Sequence, residues 1–324
     1  MSGPDAADDL TPVLRGRPVL VLAPHLDDAW LSAAAVLQRA ECTVWTVFAG
    51  SPSPAQSTPW DAASGFADSD ETMSSRTRED EAAFAGTPHG VERLPLLDAT
   101  YADHALRGQD RQELGRRLDT WLTSHPGAVV VAPVGAGVHV PQAVWQVLRE
   151  RVRRSDDSAA AETPGAAPSA AGADADEGTA EAPSGALRSA KAVAAQSVRR
   201  VMHADAQRRR RKAQRRGMAA NPDHLLVRDV ALATVPRHAG ATLVLSEDLP
   251  YLWHERGAVQ ARRLHRHTAG LREVTAPVDV ADKHARLQAY TSQLPVLDEQ
   301  GRLGAADLLP VTETYWIVDD EDRS

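Results

Sequence analysis

The sequence predicts an α/β protein, a Rossmann-like, doubly wound and mostly parallel sheet with helices on both faces. Three observations carry that expectation. Short, continuously apolar runs at Val19–Ala23, Ala128–Ala132 and Thr242–Leu245 have the length and unbroken hydrophobicity of strands buried on both faces. Stretches with helical periodicity separate the runs, and alternating strands and helices build parallel sheets. Polar residues follow the runs directly: His25, Asp27 and Asp28 after the first, Glu247 and Asp248 after the last. Open α/β sheets hold their ligands at that carboxyl end of the strands.

Composition narrows the function classes. At 324 residues and 43% hydrophobic content the chain can bury a sizeable core, and a net charge of −8 argues against nucleic-acid binding by the body of the protein. Cys42 is the single cysteine, which excludes an internal disulfide and a cysteine-based zinc site. The stretch MSGPDAADDLTP lacks the basic and apolar parts of a signal peptide, and no apolar run is long enough to span a bilayer. The expected location is therefore cytoplasmic, with no membrane partner.

The first strand, Val19–Ala23, empties at Pro24 into His25, Asp27 and Asp28, and Trp30 to Leu37 reads as the following helix. His25 and Asp28 are three apart, so on a first helical turn they point the same way. An imidazole and a carboxylate converging on one point suit a divalent metal, zinc above all. The plainer alternative is a surface turn in which Asp27 or Asp28 caps the helix. Thr43 to Phe48 reads as a second strand, and Gly50 to Asp70 as a long loop at the same edge. Arg76 to Ala85 is a charged helix start, Val91 to Leu97 a third strand, and Gln109 to Ser124 a helix with Leu114, Leu118, Trp121 and Leu122 on one face.

After the strand Ala128–Ala132 the pattern is interrupted. The expected layout is one domain made of 1–140 and 220–324, split by an insertion over 141–219. Within it, Ala143 to Leu148 reads as a helix, and Ser155 to Gly185 lacks large apolar residues and is disordered by composition. The basic run Arg208–Lys212 is either solvated or an arm for nucleic acid or an acidic partner. Thr242–Leu245, the helical stretch Lys283 to Leu294 and a closing strand at Thr314 to Ile317 complete the chain.

Several of these segments, in order, resemble one family. PHLDDAWLS, from Pro24 to Ser32, is similar to the metal-binding signature of the PIG-L (LmbE-like) deacetylases, in a variant reading HLDD for HPDD. Leu96 to Tyr101, Pro133 to Val140 (PVGAGVHV) continued at Asn221 to Asp229 (NPDHLLVRD), Glu247 to Tyr251 (EDLPY) and Lys283 to Leu294 resemble its later motifs. The resemblance implies a zinc-dependent hydrolase that removes an acetyl group from the amide nitrogen of an N-acetylglucosaminyl or similar small glycoside. It implies Zn2+ on His25, Asp28 and His224, a two-histidine, one-carboxylate set that leaves a position open for water. Asp27 becomes the general base and Arg76 a contact to the sugar, while Glu79 and Asp80 are expected on a solvated helix face. Glu247 and Asp248 stand ready to hydrogen-bond the metal's histidines. Asn221 stands where the family carries a histidine thought to stabilise the transition state, so either Asn221 or His139 must supply that role. Ala29 and Asn221 favour a rival reading, a catalytically weakened metal-binding protein that acts as an interaction module through the charged insertion. A phosphoesterase would need more carboxylate ligands than the sequence offers.

Overall fold

Seven strands form one sheet in the order β3-β2-β1-β4-β5-β7-β6. They are β1 (Val19–Ala23), β2 (Thr43–Thr46), β3 (Gly90–Arg93), β4 (Val129–Pro133), β5 (Thr242–Ser246), β6 (Gly270–Pro277) and β7 (Thr312–Asp319). β1 to β5 run parallel, whereas β7 pairs antiparallel to β5, and β6 antiparallel to β7. The expected doubly wound, mostly parallel sheet is therefore present, with an antiparallel pair on one side. The computed structural model describes residues 10–102, 104–135, 221–253, 257–265, 268, 270–298 and 300–319. His139, the 141–219 insertion, its helix at 143–148, its acidic part and its arginine run lie outside the described residues.

Alternate residues of the central strands face two separate cores, which explains why those strands read as unbroken apolar runs. Val19, Val21 and Ala23 of β1 join Val129 and Val131 of β4 in one core. Leu20 and Leu22 join Val130 and Ala132 in the other. The first core is covered by α1 (Asp28–Ser32), α2 (Ala34–Leu37), α3 (Ser69–Phe84) and, near the carboxyl end, α6 (Val280–Leu287). The second is covered by α4 (His104–Ser124), through Leu114, Leu118 and Leu122, and by α5 (Pro222–Thr234), through Leu226, Val227, Val230 and Ala231. Helices thus lie on both faces of the sheet.

Several elements differ from the sequence expectation. The stretch read as a loop from Gly50 to Asp70 contains a short helix at Pro59–Ala63, the third strand ends at Arg93 and not Leu97, and the helix read from Gln109 starts at His104. The single helix expected over Trp30 to Leu37 is two short ones, broken at Ala33, whose backbone sits at φ −136°, ψ 23°. The helix expected from Arg76 begins at Ser69, where Asp68 caps it by accepting from the amides of Asp70 and Glu71. The helical stretch from Lys283 stops at Leu287 and resumes only briefly at Leu294–Leu297. β6, an edge strand with mixed polarity, had no apolar run to announce it. Among the described residues no helix is long and apolar enough to cross a membrane.

Candidate metal centre

The parallel strands deliver their following residues to one edge. β1 leads to His25, β4 to Gly135, β5 to Asp248 and β3 to Asp98. β1 and β4 are neighbours in the sheet, although the chain visits β2 and β3 between them. This is the point where the strand order reverses, the crevice in which such sheets bind ligands.

His25 is buried at the end of β1 and is held from both sides. Its backbone N–H donates to Oδ2 of Asp28 (2.8 Å), and its Nδ1 lies 3.0 Å from the same oxygen. Its Nε2 faces away, 3.0 Å from Oδ2 of Asp223 and 3.3 Å from Oδ2 of Asp98. His224, in the first turn of α5, is fully buried, with Nε2 3.3 Å from Asp28 Oδ2 and Nδ1 3.5 Å from Asp248 Oδ2. Neither of its ring nitrogens has a hydrogen bond among the described residues. One donor atom each from His25, Asp28 and His224 fall within 4.8 Å of one another. Both histidines place a carboxylate behind one nitrogen, which leaves the other to face Asp28, an arrangement that orients imidazole ligands in metal sites.

The electrostatics follow from burying charges this close together. Burial alone would lower the pKa of both imidazoles, but Asp223 and Asp28 hold His25 well above its ordinary value, and Asp28 and Asp248 raise His224 to about 10. Burial would raise Asp28, yet the imidazoles of His224 and His25 outweigh it and lower the carboxyl. The carboxylates therefore call for positive charge at this point. A divalent cation supplies it when it displaces the imidazole protons. The donor set, two imidazoles and a carboxylate, with His224 Nε2 facing Asp28 without a hydrogen bond, fits a divalent cation.

Asp27 lies outside the donor triad. It is buried, and Arg76 Nη2 stands 3.8 Å from its Oδ1. Burial and the neighbouring Asp28 raise its pKa, opposed by Arg76 and His25. Arg76 is itself buried on α3, with Nε lacking a hydrogen-bond partner among the described residues.

Several expectations change at this point. Glu79 and Asp80 are not on a solvated face: both are buried, 9% and 1% exposed. Glu79 accepts from the Ser292 amide and hydroxyl and from Thr291, and Asp80 pairs with Arg93 Nη2 at 2.6 Å and accepts from Tyr290. The helix rests there against the chain's carboxyl-terminal region, so its charged side had to be paired rather than hydrated. Burial pushes Asp80 up to about 6 against the pull of Arg93. Glu247 accepts from the Gly257 amide, whereas Asp248 is the carboxylate behind His224. Asp248 also accepts from the Gly135 amide (3.0 Å). Gly135 has φ +81°, a left-handed backbone conformation that favours glycine. Asn221 caps α5, its side chain accepting from the Asp223 amide, and its Nδ2 donates to the Tyr251 hydroxyl at 3.3 Å. Tyr251 in turn stands edge-on to His224, ring centres 5.3 Å apart.

Two residues of the cluster were not among the expected site residues. Asp223, 1% exposed, accepts from the Ala99 amide (3.0 Å) and from Arg107 besides His25. Its position directly before His224 in NPDH was the available signal. Arg107 had none, because its partner is 116 residues away.

Comparison with known proteins agrees with this architecture. Residues 20–143 match the PIG-L family, described as GlcNAc-PI de-N-acetylase. No curated protein matches the chain in sequence. Among solved structures, the zinc-inhibited form of the teicoplanin deacetylase Orf2 is similar at a TM-score of 0.55 and 20% identity, over 95% of this chain and 100% of that one. A deacetylase–teicoplanin complex gives 0.54 and 20% over 95% and 100%. The A40926 pseudoaglycone deacetylase Dbv21 gives 0.50 and 22% over 96% and 100%. At these identities the likeness speaks for the fold. The match to the PIG-L family, residues 20–143, spans nearly all of the first four strands with His25, Asp27 and Asp28, and the chain shares the fold of these deacetylases.

Proposed function

We propose that the protein is a zinc-dependent N-deacetylase that hydrolyses the acetamide of an N-acetylated amino-sugar conjugate. The observation that carries this reading is the convergence of His25, Asp28 and His224, from distant parts of the chain, with both nitrogens of His224 lacking hydrogen bonds among the described residues. The family match over 20–143 and the deacetylase fold support the choice of reaction.

A zinc ion on His25, Asp28 and His224 would supply Lewis acidity and a water acidic enough to react at neutral pH. The protein's own groups do the rest. Asp27, kept close to the triad and raised by burial, accepts the proton that water loses as its oxygen bonds to the acetyl carbon. Asp27 then returns that proton to the amide nitrogen as the C–N bond breaks, releasing acetate and the free amine. Arg76 stands beside Asp27, where its guanidinium offers hydrogen bonds to a sugar hydroxyl. The Nδ2 group of Asn221 is the described donor for the carbonyl oxygen as it becomes negative; it can hydrogen-bond there, though it cannot carry a proton. His139 is the second candidate for that role.

The test pairs metal content with amine release. Purified protein should hold one equivalent of zinc and liberate primary amine from an N-acetylglucosaminyl conjugate, and chelation should abolish the release. Zinc at one equivalent with no amine from any N-acetyl sugar would instead favour a metal-binding interaction module, for which the replacement of the family's histidine by Asn221 is the favouring feature.

A further inference from the structure

One guanidinium reaches the back of the candidate metal centre by two routes. Arg107, in the first turns of α4, donates from Nη2 to Oδ1 of Asp223. The other oxygen of that carboxylate, Oδ2, lies 3.0 Å from Nε2 of His25 and accepts from the Ala99 amide. The flat face of Arg107 also covers the Phe48 ring, 4.6 Å from its centre, and Phe48 packs on the His25 imidazole with ring centres 6.2 Å apart. His25 is thus backed by a carboxylate and by an aromatic ring, and Arg107 touches both. Asp110 stands 3.8 Å from the second nitrogen of the fork.

We propose that Arg107 is a positioning residue for the metal centre: by holding Asp223 on Nε2 of His25 and Phe48 against the ring, it fixes Nδ1 as the nitrogen presented towards Asp28 and His224. This rests on the reading of that triad as a cation site. A carboxylate that accepts from one imidazole nitrogen sets the tautomer, and so decides which lone pair is left for a metal. With its other oxygen unheld, the Asp223 carboxylate could turn about its own axis and lose the shared contact of Oδ2 with His25 and the Ala99 amide. The charge-assisted hydrogen bond from Arg107 Nη2 to Oδ1 removes that freedom. Asp98, 3.3 Å from the same nitrogen, accepts from the Thr100 amide and offers His25 a competing partner. Arg107 biases that competition towards Asp223.

The probe is the metal alone, on the full-length, metal-stripped protein. Zinc affinity is measured by competition with a chromogenic chelator, and the visible spectrum of the cobalt-loaded protein reports ligand geometry. R107M is expected to weaken zinc about 10–100-fold and to change the cobalt spectrum. R107K, which keeps a charge near Asp223 but loses the flat face and the fork, is expected between R107M and the native protein. R286M serves as control, because Arg286 packs on Trp30 and donates to the Ala83 and Ala85 carbonyls away from the triad. It should lower the melting temperature and leave zinc affinity and spectrum alone. Native affinity and an unchanged spectrum in R107M would overturn the proposal; should R107M fail to fold, the same result in R107K would do so. A native protein that binds neither zinc nor cobalt would instead overturn the cation-site reading itself, and the role of Arg107 with it.

Discussion

Two buried polar clusters lie at opposite ends of α1, and they differ in how their atoms are satisfied. At the carboxyl end of α1, Lys283 is wholly buried, and its Nζ donates to the Leu31 carbonyl (2.7 Å) and to Oε1 of Glu313 (2.7 Å). Oε2 of Glu313 accepts from the Ala35 amide, at the start of α2, and from the Tyr315 hydroxyl. One ion pair thereby bridges the break at Ala33, satisfying a carbonyl left over by one helix and an amide left over by the next. At the amino end of α1, His25, Asp28 and His224 are equally buried, but His224 has no hydrogen bond on either nitrogen among the described residues. Burial of polar groups alone therefore does not mark a functional site. A closed network holds the fold, and an open one keeps ligand capacity that the fold does not use.

Removing donors from the two clusters should have opposite consequences. The largest effect is expected from His224→Ala, His25→Ala or Asp28→Ala, each of which should cut zinc content to well below one equivalent, because an incomplete triad no longer encloses the ion. Elemental analysis decides it, and full zinc retention in all three variants would remove the metal centre. Asp27→Asn comes next: zinc and folding should persist while amine release falls about 10²–10⁴-fold, the usual range for losing a general base. An Asp27→Asn protein with native rate would show that the proton goes elsewhere.

In the closed cluster the loss should appear as stability instead. Lys283→Met strands a buried Glu313, and breaking a buried pair costs about 3–5 kcal/mol. Urea denaturation measures it, and the double variant Lys283→Met/Glu313→Gln should recover part of the loss by removing the stranded charge. A stability change below about 1 kcal/mol for Lys283→Met would mean that Glu313 is satisfied without the lysine. Asn221 gives the smallest effect. Asn221→Ala should cost about 1 kcal/mol as a lost helix cap. Asn221→Asp keeps the cap but lacks the Nδ2 donor, so it should retain stability and lose rate. If both change only stability, Asn221 is a cap and nothing more.

Much of this was legible in the residues themselves. The unbroken apolar runs at 19–23, 128–132 and 242–245 read as strands buried on two faces, and their order with the intervening helices implied the parallel sheet. PHLDDAWLS, together with the resemblance of the later NPDH segment, points to His25, Asp28 and His224 as one set, and the three do converge. These are local signals: period, run length and short spacings survive in one dimension. The tertiary structure alone decided that Glu79 and Asp80 are buried partners of the carboxyl-terminal region and that Lys283 bridges a helix break. It also decided that Arg107 and Asp223 meet behind His25. A charge on a helix looks the same in sequence whether it meets water or a carboxylate from 116 residues away. Only the packing that brings the two together determines which of those it meets, and a buried charge persists only where that partner is found.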